Sequence, residues 1–179
     1  MRTISLREVQ YFVKNTLKGK LRKDLRDWRI RREAEVENCS YYHLRRFLNP
    51  DRDWRVFARR HSSRTGFYTD LLIFQGTKPR IAIETKWRKN GIPKKDRNAL
   101  ASALKNLEGV EKAYFYVVMP DASGYEKLKE KTVIEKNRLF ERVVDLRYSE
   151  EDRKGWWRKR AEFKLGKSVG HAEALDNEG

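Results

Sequence analysis

The sequence predicts an α/β fold, a mixed β-sheet flanked by helices. Three observations point there. Apolar residues recur at helical spacing before residue 50, strand-like runs follow one another between residues 54 and 87, and helix-like and strand-like stretches then alternate. A three-strand meander followed by a helix and another strand gives a sheet with antiparallel and parallel neighbours and helices packed on it.

The elements can be justified in order. Ser5-Leu6-Arg7-Glu8 is a capping box, a serine that accepts from the first turn and a glutamate that reaches back. Leu6, Val9, Val13 and Leu17 then recur at helical spacing, which predicts an amphipathic helix over about 6–17. Residues 18–32 are dominated by lysine and arginine around Leu21, Leu25 and Trp28. A second helix covers about 33–48, with Val36, Tyr41, Leu44, Phe47 and Leu48 facing inward. It stops before Asn49-Pro50, because proline disfavours helix at the residue before it.

Strands are expected at 54–60, 67–75 and 80–87, rich in β-branched and aromatic residues. Gly76-Thr77-Lys78-Pro79 joins the last two as a hairpin. A basic loop over 88–95 leads to a helix near 96–107 with Leu100, Ala103, Leu104 and Leu107. A strand at 113–119 follows, then a helix opened by Ser123-Gly124-Tyr125-Glu126, a strand at 139–146 and a last helix opened by Ser149-Glu150-Glu151-Asp152. All four prolines (Pro50, Pro79, Pro93, Pro120) fall between these elements. From about residue 166 the chain is small and polar and reads as a flexible tail. The expected organisation is one domain over 1–165, with a basic helical extension over 1–32 and a core over 33–119.

Composition bounds the partners. A chain of 179 residues can form one domain with a proper core. The formal net charge is +16 and the pI about 10.0, so the expected large partner is a polyanion. No apolar stretch reaches membrane-spanning length and no signal peptide opens the sequence. Cys39 is the only cysteine, which excludes an internal disulfide. His43, His61 and His171 show no zinc-ligand spacing. No nucleotide-phosphate loop is present, so no small-molecule cofactor is expected. These features fit a reducing, cytoplasmic compartment.

Asp70, Glu84 and Lys86 carry the chemistry. Asp70 interrupts the apolar run Phe67, Tyr68, Leu71, Leu72, Ile73, Phe74; Glu84 and Lys86 follow Ile81, Ala82 and Ile83. Burying an ionised side chain in a sheet costs free energy unless it is paired or binds a metal. Alternation puts Glu84 and Lys86 on one strand face with Ala82, and hairpin pairing puts Asp70 beside Glu84. Two carboxylates that close repel unless a cation lies between them. Hard oxygen donors favour Mg²⁺ or Mn²⁺, and such an ion can activate water and offset phosphoryl charge. The competing reading is a surface ion pair on an edge strand, with Asp70 at a bulge.

This set, Asp-x13-Glu-x-Lys on consecutive strands, resembles the PD-(D/E)XK nuclease superfamily, whose restriction-endonuclease-like core runs α-β-β-β-α-β. The resemblance covers about residues 33–119. It implies that Asp70 and Glu84, with the Thr85 backbone carbonyl, hold the metal and that Lys86 is catalytic. Thr69 stands where the name-giving proline would be. Many members add a glutamate from the first core helix. Glu37 lies with Tyr41, Leu44 and Leu48 on the apolar face and is the first choice, Glu33 the second; Glu35 lies on a more exposed stripe with Cys39, Tyr42 and Arg46. The layout is similar to small archaeal-type Holliday junction resolvases. That implies a Mg²⁺-dependent endonuclease for branched or structured DNA, in recombination or repair, acting as a possible homodimer. The alternatives are a restriction-type enzyme and a non-catalytic nucleic-acid-binding module.

Basic groups near these elements are candidate DNA contacts. One is Arg88, Lys89, Lys94, Lys95 and Arg97, directly after the catalytic strand. Another is Lys18–Arg32, including Arg29, Arg31 and Arg32 with Trp28, and a third is Arg153–Lys167 around Trp156 and Trp157. Phosphate contacts of this kind supply affinity without sequence choice, and exposed tryptophan can stack on an unpaired base.

Overall fold

A computed structural model describes residues 3–62, 67–87, 101, 104, 108–119, 132–133, 139–145, 151, 154–155 and 157–162. The chain is mixed α/β. A six-stranded sheet has the order β1-β2-β3-β4-β6-β5, from β1 (Trp54–Ser62), β2 (Phe67–Gln75), β3 (Lys78–Trp87), β4 (Lys112–Met119), β5 (Thr132–Val133) and β6 (Leu139–Asp145). β1, β2 and β3 form the antiparallel meander, while β4 joins β3 and β6 joins β4 in parallel. The short β5 pairs antiparallel with β6.

The N-terminal helix is longer than its predicted span. It runs as α1 (Leu6–Tyr11), a π-helical stretch (Phe12–Thr16) and α2 (Leu17–Arg26). The capping box forms as expected. Val9, Val13, Leu17, Leu21 and Leu25 are all fully buried. Their spacing of four drifts about 40° per step around an ideal α-helix. The wider π turn offsets part of that drift and keeps the series on one face. This helix is therefore part of the core rather than an appended extension: α2 packs on β6 and on α3 (Glu33–Leu48). The Tyr114 hydroxyl donates to the Gln10 carbonyl at 3.5 Å, and the Tyr116 hydroxyl donates to the Val13 carbonyl.

α2 ends in a tight reversal. Trp28 takes a left-handed φ of 64°, its N–H donates to the Leu25 carbonyl, and the Arg29 N–H donates to the Asp24 carbonyl. This is the Schellman pairing, with tryptophan where glycine is usual. Asp24 is buried beside that turn. It meets His43 Nε2 of α3 at 2.5 Å and Arg29 at 3.5 Å, so one carboxylate ties α2 to α3. Burial, followed by the nearby Asp24, pushes the Cys39 thiol up to about 11, which keeps it protonated and unreactive.

α3 matches its predicted span and lies over β1, β2 and β3. The core forms between these helices and one sheet face, including Leu71, Ile73, Ile81, Ile83, Tyr116 and Val118. Leu72, Ala82 and Val117 alternate to the other face and are buried there.

The β2–β3 hairpin is tighter than predicted. Gln75 pairs with Lys78, so the turn is Gly76-Thr77 alone, with Gly76 at φ +56°. Pro79 accordingly lies inside β3, not between elements. It is tolerated there because it sits near the strand start, opposite a register shift between Ile73 and Phe74. Gly109 (φ +94°) approaches this point closely, since a Cβ there would lie 2.9 Å from the Pro79 carbonyl oxygen.

Of the remaining predicted elements, Ala101 and Leu104 are helical, as are Glu151, 154–155 and 157–162. The helix opened at Ser123 and the tail beyond residue 166 lie outside the described residues. Among the described residues, no helix is long and apolar enough to cross a membrane.

Candidate active site

The site forms where β2 begins and β3 ends. The β2–β3 ladder pairs Leu71 with Ile83, and one step further along that register Asp70 faces Glu84. Here Asp70 bonds through its side chain: Oδ2 accepts from the Thr85 N–H at 2.7 Å and from Thr85 Oγ1 at 2.8 Å. Thr85 is fully buried on the core face, so its hydroxyl is a fixed donor. Thr69 also faces the core, and its hydroxyl donates to the Ile83 carbonyl at 3.0 Å. Thr69 thus ties β2 to β3.

Glu84 and Lys86 share a strand face, and Lys86 Nζ lies 2.9 Å from Glu84 Oε1. The same ammonium lies 3.3 Å from Oε1 of Glu33, the first residue of α3. Glu33 Oε2 accepts from the Trp87 N–H at 3.1 Å. A single glutamate thus holds both the lysine and the backbone at the end of β3.

Burial pushes the Glu84 carboxyl up to about 7, and the charge of Asp70 adds to the rise. The Lys86 ammonium and the Asp70 N–H, which donates to the Glu84 carboxylate, act against it. For Lys86, burial disfavours the charge, but Glu84, Glu33 and Asp70 outweigh it, so its pKa is raised and it stays protonated. Asp70 thus stands close enough to Glu84 to disfavour the charge of Glu84, a cost that a divalent cation relieves. Oxygen donors of this type suit Mg²⁺ or Mn²⁺. Among the described residues, no group of three or more His, Cys, Asp or Glu side chains is disposed to hold a metal. The donors on hand are two carboxylates and the main chain at Thr85.

The structure brings together Asp70, Glu84, Thr85 and Lys86, and it adds Glu33. Glu37 is buried one turn further along α3, at 7% exposure, as its place on the apolar face predicts. Glu33 is the residue that reaches Lys86, because the start of α3, not its middle, lies at the end of β3. Glu35 lies on the more exposed stripe, with Tyr42 and Arg46 exposed beside it, and is engaged away from the site. Its carboxylate accepts from the Arg31 N–H and pairs with Arg31 at 2.8 Å and Arg32 at 3.4 Å. Thr85 as a donor to Asp70 was the feature missed; a hydroxyl between Glu84 and Lys86, on the opposite strand face, was the available signal.

The proposed DNA contacts divide. Arg29, Arg31 and Arg32 are exposed, but each pairs with an acid: Arg29 with Asp24, the other two with Glu35. Their net positive field is correspondingly reduced. Trp28 is half-buried against the core. Trp157 is exposed, with the Arg160 guanidinium 5.0 Å over its ring. Arg88, Lys89, Lys94, Lys95 and Arg97 lie outside the described residues, as does Trp156.

No family model and no curated protein matches the chain. Among solved structures, it is similar to a chain in the refined half-complex from the tetradecameric assembly of Thermococcus gammatolerans McrB AAA+ hexamers with bound McrC. The identity is 14% and the TM-score 0.36, over 70% of this chain and 33% of that one. The chain thus spans about a third of that chain's length, and a likeness at this level carries no argument about function.

Proposed function

We propose that the chain is a metal-dependent endonuclease that hydrolyses phosphodiester bonds in DNA, on a restriction-endonuclease-like core. The observation that carries the reading is the meeting of Asp70, Glu84, Lys86 and Glu33 at one end of the sheet. The net charge of +16 supports a polyanionic substrate, and the Asp-x13-Glu-x-Lys resemblance supports the reaction class. In this reading Asp70, Glu84 and the Thr85 carbonyl hold Mg²⁺ or Mn²⁺. The bound ion supplies Lewis acidity and a water of lowered pKa.

The chain's own groups do the rest. Thr85 fixes the Asp70 carboxylate with two donors, so no reorganisation is needed when substrate arrives. Lys86, held protonated between Glu84 and Glu33, places a fixed positive charge where the phosphoryl oxygens gather negative charge. It can also donate to the attacking water. Glu33 orients Lys86 through one oxygen and the end of β3 through the other.

Branched or flapped DNA, cut in the manner of a Holliday junction resolvase by a homodimer within the cell, is the proposed substrate. The test is a Mg²⁺-dependent cleavage panel of junction, flap, single-strand and duplex DNA, with RNA alongside. Cutting of junction or flap DNA ahead of plain duplex supports the proposal. No cutting of any substrate with Mg²⁺ or Mn²⁺ overturns it, and cutting only at one duplex sequence moves the protein to the restriction type.

A further inference from the structure

At the opposite end of α3 from Glu33, a cleft of about 480 Å³ opens against the start of β1. Its wall includes Tyr41, Arg45, Arg52, Trp54, Arg55 and Phe57. The three arginines are exposed, and no acid among the described residues pairs with them. Asp51 also lines the cleft, but its carboxylate is committed to the backbone: Oδ2 accepts from the Ile4 N–H at 2.6 Å and Oδ1 from the Asp53 N–H at 3.0 Å. Three guanidinium groups against one carboxylate leave the concavity net positive, which favours an anion.

We propose that this cleft holds an unpaired nucleotide of a nucleic-acid strand, with its phosphate on the guanidinium groups and its base on the aromatic wall. The volume falls within the range of small-ligand pockets, roughly 300–1,000 Å³. A base inside a duplex cannot enter such a cleft, whereas an unpaired base has a free π-face to set on Tyr41 or Phe57, both half-buried in the wall. Arginine adds planar, bidentate phosphate recognition and can itself stack on the base. Arg45 lies about 18 Å along α3 from Glu33 at 1.5 Å per residue. That distance corresponds to about five steps of a stacked strand, so the cleft is a second grip on the strand and not part of the catalytic cluster. The inference rests on the nuclease reading for its choice of nucleic acid and deepens it, since it implies a substrate with a single-stranded arm.

The test uses the full chain in EDTA, where nothing is cut. Fluorescence anisotropy reads binding of a labelled oligothymidylate and of a blunt duplex of equal length, with thymidine monophosphate as competitor. The Arg45→Ala/Arg55→Ala double variant is expected to weaken single-strand binding about tenfold or more and to affect duplex much less. Its log–log salt slope on single strand should flatten by about 1.4, for two lost contacts. Tyr41→Ala is expected to weaken single-strand binding with the slope unchanged. Thermal melting, with Arg45→Lys/Arg55→Lys as a charge-retaining control, confirms that the fold is intact.

Equal losses on duplex and single strand would overturn the proposal in favour of a plain phosphate grip. Monophosphate binding as tight as the strand would make the cleft a free-nucleotide site, and unchanged binding would leave a solvated arginine patch; either overturns it. Cleavage is read separately. Absent wild-type cleavage with cleft binding intact defeats the nuclease reading alone, and intact cleavage with unchanged variant binding defeats the cleft alone.

Discussion

Thr85 donates twice to one oxygen of Asp70, from its backbone N–H at 2.7 Å and from its hydroxyl at 2.8 Å. The acid is thereby fixed by the strand that carries Glu84 and Lys86. Thr85→Val keeps the shape and the N–H but removes the hydroxyl. Partners that orient a metal-binding carboxylate typically contribute 10–100-fold in affinity. The variant should fold normally and bind Mn²⁺ about tenfold or more weakly by calorimetry. Unchanged affinity would show that the backbone donor alone positions Asp70.

Glu84 makes metal-free stability depend on pH. Its folded pKa of about 7 lies above the ordinary value of 4.5. Between those values the folded state holds the proton more tightly than the unfolded state. The contribution of this group is therefore full below pH 4.5 and is lost as pH rises through 7. The loss is at most about 3 kcal/mol. Thermal melts of wild type and Glu84→Gln between pH 5 and 8 should show the wild type losing more stability across that window. Mn²⁺ should stabilise the wild type more at pH 8 than at pH 5.5, because the ligand must be ionised.

Which helix glutamate serves the site can be decided by two substitutions. Glu33 contacts Lys86 and the Trp87 N–H, whereas Glu37 is buried a turn away. Glu33→Gln should lower single-turnover cleavage at saturating metal by about tenfold, the lower end for a partner that orients a site residue. Glu37→Gln should act more on melting temperature than on rate. The reverse pattern would return the role to Glu37.

Much of the fold was legible in the sequence. Glu33–Leu48 was readable because Asn49-Pro50 sets its end and its apolar face is strongly periodic. The meander was readable from its three apolar runs, and Asp70, Glu84 and Lys86 stood out because charge is rare in such runs. The limits have physical causes. Lysine and arginine between Leu17, Leu21 and Leu25 hid a buried series that a π turn keeps in phase. Pro79 inside β3 depends on a register shift in the partner strand, which pattern alone does not show. β5 is two residues long, too short to leave a periodic signal. Helix-face reasoning ranked Glu37 above Glu33, and it identified the buried residue correctly; what it could not supply was which end of α3 meets β3.

Asp24 offers a stability test away from the chemistry. It is buried and pairs with His43 and Arg29 across the α2–α3 junction. Losing a buried hydrogen-bond partner such as Asp24 typically costs about 1–3 kcal/mol. Asp24→Ala should lower the urea midpoint accordingly, and the Trp28 turn should open with it. A loss under about 1 kcal/mol would mean that the pair behaves as a surface salt bridge.

In the proposed reaction Asp70 and Glu84 hold a divalent cation that, with Lys86, promotes hydrolysis of a DNA phosphodiester bond. The most direct measurement is cleavage of a labelled junction or flap DNA by wild type, Asp70→Ala and Lys86→Ala, with Mg²⁺ and with EDTA, beside Mn²⁺ calorimetry. Wild type should cut with Mg²⁺ only. Neither variant should cut, Mn²⁺ binding should be lost in Asp70→Ala and kept in Lys86→Ala, and DNA binding should persist in both. Normal Mg²⁺-dependent cutting by Asp70→Ala, or wild-type cutting in EDTA, would contradict it.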